Sequence, residues 1–250
     1  MTSLYVAWHT ASPPPIWGPV GKLDFEDGYF RFRYTRGAKN LHGFDPFPGM
    51  PEFDRVYRSV GLFPLFANRL LAKSRPEYQR YLMWSGFPQD SAPEPLVILG
   101  RTEGRKETDA IEVFPCPEPS STGRFIGFFF AHGIRYHLPN AGPILKQLMA
   151  GDRLQLRPQP RNLHDSNAVA IFAHNEPLGY IPCYLAPDVK VLLERCGESD
   201  VRLYVDRINH DSPMQQRLLC RLDACWPEDF HPCGGDEFKL ISEDKVLEML

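Results

Sequence analysis

The chain has 250 residues, with 28 Lys+Arg against 31 Asp+Glu for a formal charge of -3, enough for one large domain or two small ones with a real core. Hydrophobic residues at 43% and charged residues at 24% exclude a disordered chain. The 25 prolines and 19 glycines exclude a helical bundle, because proline blocks helix interiors and central strands.

The first segment runs from Leu4 to about Pro119. Leu4–Trp8 reads as a strand, Pro13–Pro15 as a loop and Val20–Phe25 as a second strand. Glu26-Asp27-Gly28 is a turn signal. Tyr29–Tyr34 alternates apolar and basic residues with period two, as a half-buried hairpin partner does. Phe44–Pro51 is loop. Leu62–Leu71 is apolar and helical after Pro64, and a helix starts at Arg75-Pro76-Glu77 and continues through Trp84, with proline in its first turn. Leu96–Leu99 and Ala110–Pro115 read as strands around a charged loop.

Cys116–Gly123 has the Pro/Ser/Gly composition of a linker. Beyond it, Arg124–Gly133 is an aromatic strand whose phenylalanines serve the core rather than a base platform. Pro143–Leu148 is a short helix, and Arg153–Arg157, Ala168–Ala173 and Leu178–Ile181 are strands. Tyr184–Cys196 is a helix, Val201–Ile208 and Arg217–Cys225 are strands, and Glu243–Leu250 is a weak amphipathic helix. Five or six short strands with one or two helices predict a small, partly closed barrel. No apolar run approaches the ~18 residues of a membrane helix. Met1–Ile16 lacks the basic and apolar parts of a signal peptide. The cysteines at Cys116, Cys183, Cys196, Cys220, Cys225 and Cys233 are scattered, as suits reduced thiols in a cytoplasmic protein.

The informative block is Gly133-Ile134-Arg135-Tyr136-His137, then Gly151-Asp152, then Arg161-Asn162-Leu163-His164-Asp165-Ser166-Asn167-Ala168-Val169-Ala170-Ile171, then Leu178-Gly179-Tyr180-Ile181-Pro182. Asn162, Asp165 and Asn167 lie just before a strand, where such side chains bond nearby backbone and fix a turn. Over residues 124–227 the pattern resembles the HIRAN domain, found in replication-fork-remodelling helicases and as a stand-alone bacterial module. The resemblance implies an OB-like barrel that holds the 3′ end of single-stranded DNA. Asp165 would then accept a hydrogen bond from the sugar 3′-hydroxyl and repel internal phosphates. Tyr136 and His164 would sandwich the terminal bases, at ~1–3 kcal/mol per stacked base. Arg135 would pair with a phosphate or stack, and Asn162, Asn167 and Tyr180 would line the pocket. The family's second aromatic position is here a histidine, and Pro182-Cys183 stands where DNA-binding relatives carry a lysine.

The first segment, over about 4–118, resembles the small N-terminal subdomain of HipA-type kinases through Val20–Leu23, Phe30–Tyr34, Leu62–Leu71, Leu99–Arg101 and Glu112–Pro115. That resemblance implies contact with a protein partner. No kinase catalytic motif is found. Gly100–Lys106 is not a phosphate loop, and no nucleophile elbow is found. The cluster Cys220, Cys225, His231 and Cys233 has four zinc-type ligands, but its spacing is irregular and Cys220 and Cys225 face opposite sides of one strand.

The expected organisation is α+β: a HipA-N-like domain over 1–118, a linker over 119–123, the partly closed OB-like barrel with one or two short helices over 124–228, and an acidic tail over 229–250. The expected function is non-catalytic single-stranded DNA binding without cofactor or metal, serving repair or defence, with a protein partner through residues 4–118 and no membrane. Two alternatives are an adaptor whose pocket has lost DNA and a metal-dependent hydrolase of acid anhydrides. The charge supports a small pocket. Residues 1–122 are balanced, 123–196 carry 8 basic and 5 acidic side chains, and 197–250 carry 6 and 12. The proposed pocket is therefore mildly basic inside an acidic chain, which favours one strand end over broad phosphate binding.

Overall fold

The computed structural model describes residues 3–10, 16–106 and 109–242. The loop expected at Pro13–Pro15 and the helix expected over 243–250 lie outside them. The chain divides into two compact α+β units. The first comprises 1–71, 94–116 and 233–250, and the second comprises 72–93 and 117–232. Two segments thus leave the domains that chain continuity assigns them. Residues 72–93 join the second unit, where the Asn209 side-chain amide donates to Trp84 O at 2.9 Å and Trp84 Nε1 donates to Asp211 at 3.1 Å. The stretch 233–242, expected as part of a tail, returns to the first unit. There Ile241 N donates to Tyr34 O at 3.0 Å and Arg36 pairs with Asp236 at 2.6 Å.

The first unit holds β1 (Ser3–His9), β2 (Trp17–Glu26), β3 (Tyr29–Tyr34), α1 (Arg36–Asn40), β4 (Tyr57–Ser59), α2 (Pro64–Ala67), α4 (Pro95–Thr102) and β5 (Ile111–Pro115), while α3 (Tyr78–Trp84) lies in the second. Its antiparallel sheet has the order β4-β3-β2-β1-β5. The β2–β3 hairpin turns on Asp27 and Gly28, both with positive φ (52° and 82°), as tight hairpins require. Phe32 and Tyr34 are fully buried; enclosing a side chain such as Phe32 contributes about 1.5–3 kcal/mol. Arg31 and Arg33, on the other face, both reach the buried Asp24, at 2.7 and 2.8 Å. Leu96–Leu99, expected as a strand, is instead part of helix α4. Pro95 occupies its first turn, Val97 and Ile98 donate to Glu94 O, and Glu103 at φ 60° ends it. An apolar run of four has no period of its own, and its flanking residues decide it.

The second unit contains α3, β6 (Arg124–Phe130), α5 (Leu138–Leu145), β7 (Arg153–Pro158), β8 (Val169–Ala173), β9 (Glu176–Tyr180), α6 (Ala186–Cys196), β10 (Arg202–Ile208) and β11 (Leu218–Cys225). Its six antiparallel strands run β6-β11-β10-β7-β8-β9. This corrects the barrel expectation: the sheet is open. Its two edges meet only past the end of β6, where His132 and Tyr180 form a single isolated bridge. Alternation along the strands reveals which face is inner but not whether the edges zip together. The core gathers Phe125, Phe129, Leu154, Leu156, Val169, Ile171, Leu203, Val205, Leu218 and Leu222 under the α6 residues Ala186, Val189 and Leu192, whose spacing of three marks one helix face. Phe125, Phe129 and Phe130 are buried, while Phe128 is partly exposed.

The cysteines need one more correction. Cys196, ending α6, is disulfide-bonded to Cys225, ending β11, so the expectation of six reduced thiols does not hold. Two cysteines 29 residues apart look scattered until the fold lays a helix end beside a strand end. Among the described residues no helix is long and apolar enough to cross a membrane.

Candidate nucleic-acid interface

Three pieces of the second unit converge at one end of β8 and β9. His132 and Tyr180 exchange two backbone hydrogen bonds, each 2.9 Å, and Ile181 N donates to Val169 O at 2.9 Å. The loop that feeds β8 therefore ends beside the end of β9. A β-carbon on Gly179 would stand 2.5 Å from the His132 carbonyl oxygen, so only glycine allows the edges to close up here.

Gly133 follows with φ +70°, and a β-carbon on it would lie 3.2 Å from Tyr180 Cδ2 and 3.7 Å from Tyr136 Cδ2. Glycine thus makes the turn and lets both tyrosine rings approach. A single 3-10 turn over Ile134–Tyr136 then buries Ile134 at 2% exposure and presents Tyr136 at 70%. The Arg135 guanidinium lies over the Tyr136 ring, 4.7 Å from its centroid, and donates to its hydroxyl at 2.5 Å. The geometry is a cation–π pair.

His137, which closes the Gly133–His137 block, is a site residue that sequence reasoning missed. Its ring centroid lies 5.6 Å from that of Tyr180. Its Nε2 is buried without a hydrogen-bond partner among the described residues. Burial holds its imidazole below the usual 6.5, so the ring is neutral at pH 7.

The 161–168 loop is knit by its own side chains. Asn162 Oδ1 accepts the backbone N–H groups of His164 at 2.9 Å and Asp165 at 3.3 Å, and its Nδ2 donates to Gln159 Oε1 at 3.3 Å. Asp165 Oδ1 accepts the Asn167 N–H at 2.7 Å; its other carboxylate oxygen takes no partner among the described residues. The His164 side chain is exposed next to Leu163, which is 96% exposed. The structure thus groups Arg135, Tyr136 and Tyr180 with His137, and Asn162, His164, Asp165 and Asn167 in the neighbouring loop. No ring contact joins His164 to either tyrosine among the described residues.

Lys190 is the second residue that sequence reasoning missed. From α6 its Nζ donates to Asn167 Oδ1 at 3.0 Å and to Ser166 O at 3.4 Å. It brings an ammonium to the loop although position 183 holds cysteine. No local signal could have found it, since it lies 23 residues beyond its partner. Two residues earlier, burial pushes the Asp188 carboxyl up to about 7. Among the described residues no group of three or more His, Cys, Asp or Glu is arranged to hold a metal ion, and Cys225 of the zinc-type cluster is committed to Cys196.

These residues together can stack a base on Tyr136, accept a hydroxyl proton at Asp165 and attract a phosphate with Arg135 and Lys190. No curated protein matches the chain. A crystal structure of the HIRAN domain of human HLTF is similar at 16% identity and a TM-score of 0.30, over 41% of this chain and 77% of that one. The HIRAN domain family model matches residues 125–223, the span from the first buried phenylalanine of β6 nearly to the end of β11. The second unit therefore carries a HIRAN domain.

Proposed function

We propose that the HIRAN domain binds single-stranded DNA at a 3′-hydroxyl end, and that the chain is a non-catalytic module. The observation that carries this reading is the exposed Tyr136, held beside Tyr180 by Gly133, next to a loop with one unpaired carboxylate oxygen and an ammonium. Exposed aromatics stack bases of any sequence. Asp165 selects a hydroxyl donor over a phosphate, because a carboxylate accepts the one and repels the other. Asn162 acts by shaping the loop, and Asn167 by holding Lys190 toward it. Residues 4–118, which resemble the HipA N-terminal subdomain in sequence, serve in this reading as the site for a protein partner. Repair or defence of DNA is the matching cellular setting, in the cytoplasm.

The test is fluorescence anisotropy with short single-stranded oligonucleotides bearing a free or a phosphorylated 3′ end. Tighter binding of the free end is expected. Equal binding of both ends removes the role of Asp165. Absence of binding below ~100 μM at low salt, weaker than the ~10⁻⁴–10⁻⁶ M of merely non-specific contacts, replaces DNA binding with a protein-adaptor role.

A further inference from the structure

We infer that the outer face of the second unit's sheet is a track for the single strand leading away from the end site. The inference rests on the single-stranded DNA reading above and adds a second, separable contact to it.

The track follows from register. Arg153 on β7 pairs with Tyr204 on β10, and Tyr204 pairs with Arg221 on β11, so the three side chains share one face in a row across three strands. The Arg221 guanidinium lies over the Tyr204 ring, 5.1 Å from its centroid. Along β7 the exposed Arg153, Gln155 and Arg157 alternate with the buried Leu154 and Leu156. The Arg157 guanidinium lies 4.2 Å from the centroid of Phe172 on β8. Arg157 also pairs with Ala170, which pairs with Tyr180. Ala170 is itself buried between them, so the exposed row begins at Arg157, two strand spacings or about 10 Å from Tyr180, and runs to Arg153 and on to Arg221. Beyond Arg221 on the same face, Leu219 and Phe130 are buried, and the open track stops.

Its chemistry suits one occupant. Arg153, Arg157 and Arg221 form no ion pair with a carboxylate among the described residues. Asp223, the acid on the neighbouring row, is held by Arg124 at 2.6 Å. The face therefore presents three uncompensated guanidiniums interleaved with aromatic rings. Bases stack both on aromatic rings and on guanidinium planes, while the charges meet phosphates. An acidic protein surface could meet the charges, but the alternation of guanidinium and ring along one row matches the alternation of phosphate and base along a single strand. The track runs about 13 Å along β7 and about 10 Å across to β11, room for several nucleotides.

The test uses the full chain and oligo-dT of 4 and 16 nucleotides with free 3′ ends, measured by anisotropy against salt. The 16-mer is expected to bind at least tenfold tighter than the 4-mer. A triple variant, Arg153→Gln, Arg157→Gln and Arg221→Gln, is expected to abolish that difference and leave the 4-mer unaffected. Its salt slope for the 16-mer should fall by about 2, at roughly 0.7 per lost phosphate contact on a single strand. Tyr204→Ala is a second variant that leaves every charge in place and should cut only the 16-mer. Circular dichroism melting confirms that each variant is folded. If the 4-mer binds and the 16-mer binds no tighter, or if the folded triple variant keeps the difference, the track is wrong and the end site stands. If the 16-mer binds through the arginines while the 4-mer does not bind, the track stands and the end site falls. If neither length binds, both fall.

Discussion

Gly179 and His132 approach so closely that a β-carbon on the glycine would lie 2.5 Å from the histidine carbonyl oxygen. That contact seats the reciprocal backbone bonds between His132 and Tyr180, and it holds the turn bearing Tyr136 against β9. Gly179→Ala forces the edges apart. It should cost about 2–4 kcal/mol, from overpacking and two weakened hydrogen bonds, read as a lower urea midpoint.

Tyr136 is 70% exposed, so its removal separates binding from folding. Tyr136→Ala should weaken oligonucleotide binding by ~1–3 kcal/mol at an unchanged melting temperature. A melting shift with unchanged binding would show that the ring belongs to the fold.

Lys190 reaches the loop from α6, with its Nζ 3.0 Å from Asn167 Oδ1, and in the proposed reading it supplies the phosphate contact that Pro182-Cys183 does not. Lys190→Gln should lower affinity and reduce the salt slope by about 0.7, one phosphate contact on a single strand. Titration at three ionic strengths reads the slope. A uniform loss of affinity with the slope unchanged would leave Lys190 as a brace for the loop alone.

Asp188 gives the stability a pH dependence. Its folded pKa of about 7 lies above the ordinary 3.8, so between those values the folded state binds more protons than the unfolded one. Stability should therefore fall as pH rises from about 4 to 7, by up to about 1.4 kcal/mol per pH unit. The helix dipole in the first turn of α6 offsets part of this. Asp188→Asn should flatten the profile and melt higher than the parent at pH 8.

The Cys196–Cys225 bond closes a stretch with a sequence separation of 29. Its reduction should cost about 3–4 kcal/mol by the loop-entropy relation. Thiol counting of the denatured, unreduced protein should find four of the six cysteines reactive. Six reactive thiols and a melting curve indifferent to reductant would place the pair in its reduced form.

Local pattern alone determined much of this protein. The period-two stretch Tyr29–Tyr34 emerged as β3 with the same bounds, because alternation and a flanking Asp27-Gly28 turn agree. The strands expected at Ala168–Ala173 and Leu178–Ile181 emerged as β8 (Val169–Ala173) and as β9 shifted to Glu176–Tyr180, because turn residues flank short apolar runs without fixing their ends, and the same block carried the HIRAN resemblance. What was not legible depends on residues distant in the chain. Leu96–Leu99 is helical because its caps and its packing against β1 outweigh a short apolar run; a β-carbon on Gly100 would lie 2.8 Å from Leu4. The assignment of 72–93 to the second unit, the Cys196–Cys225 bond, and the meeting of His137 and Lys190 with the predicted site residues were all decided by tertiary structure. So was the openness of the sheet. Hydrophobic period reports which face of an element is buried, and it carries no information about which distant edge, helix end or side chain will lie against it.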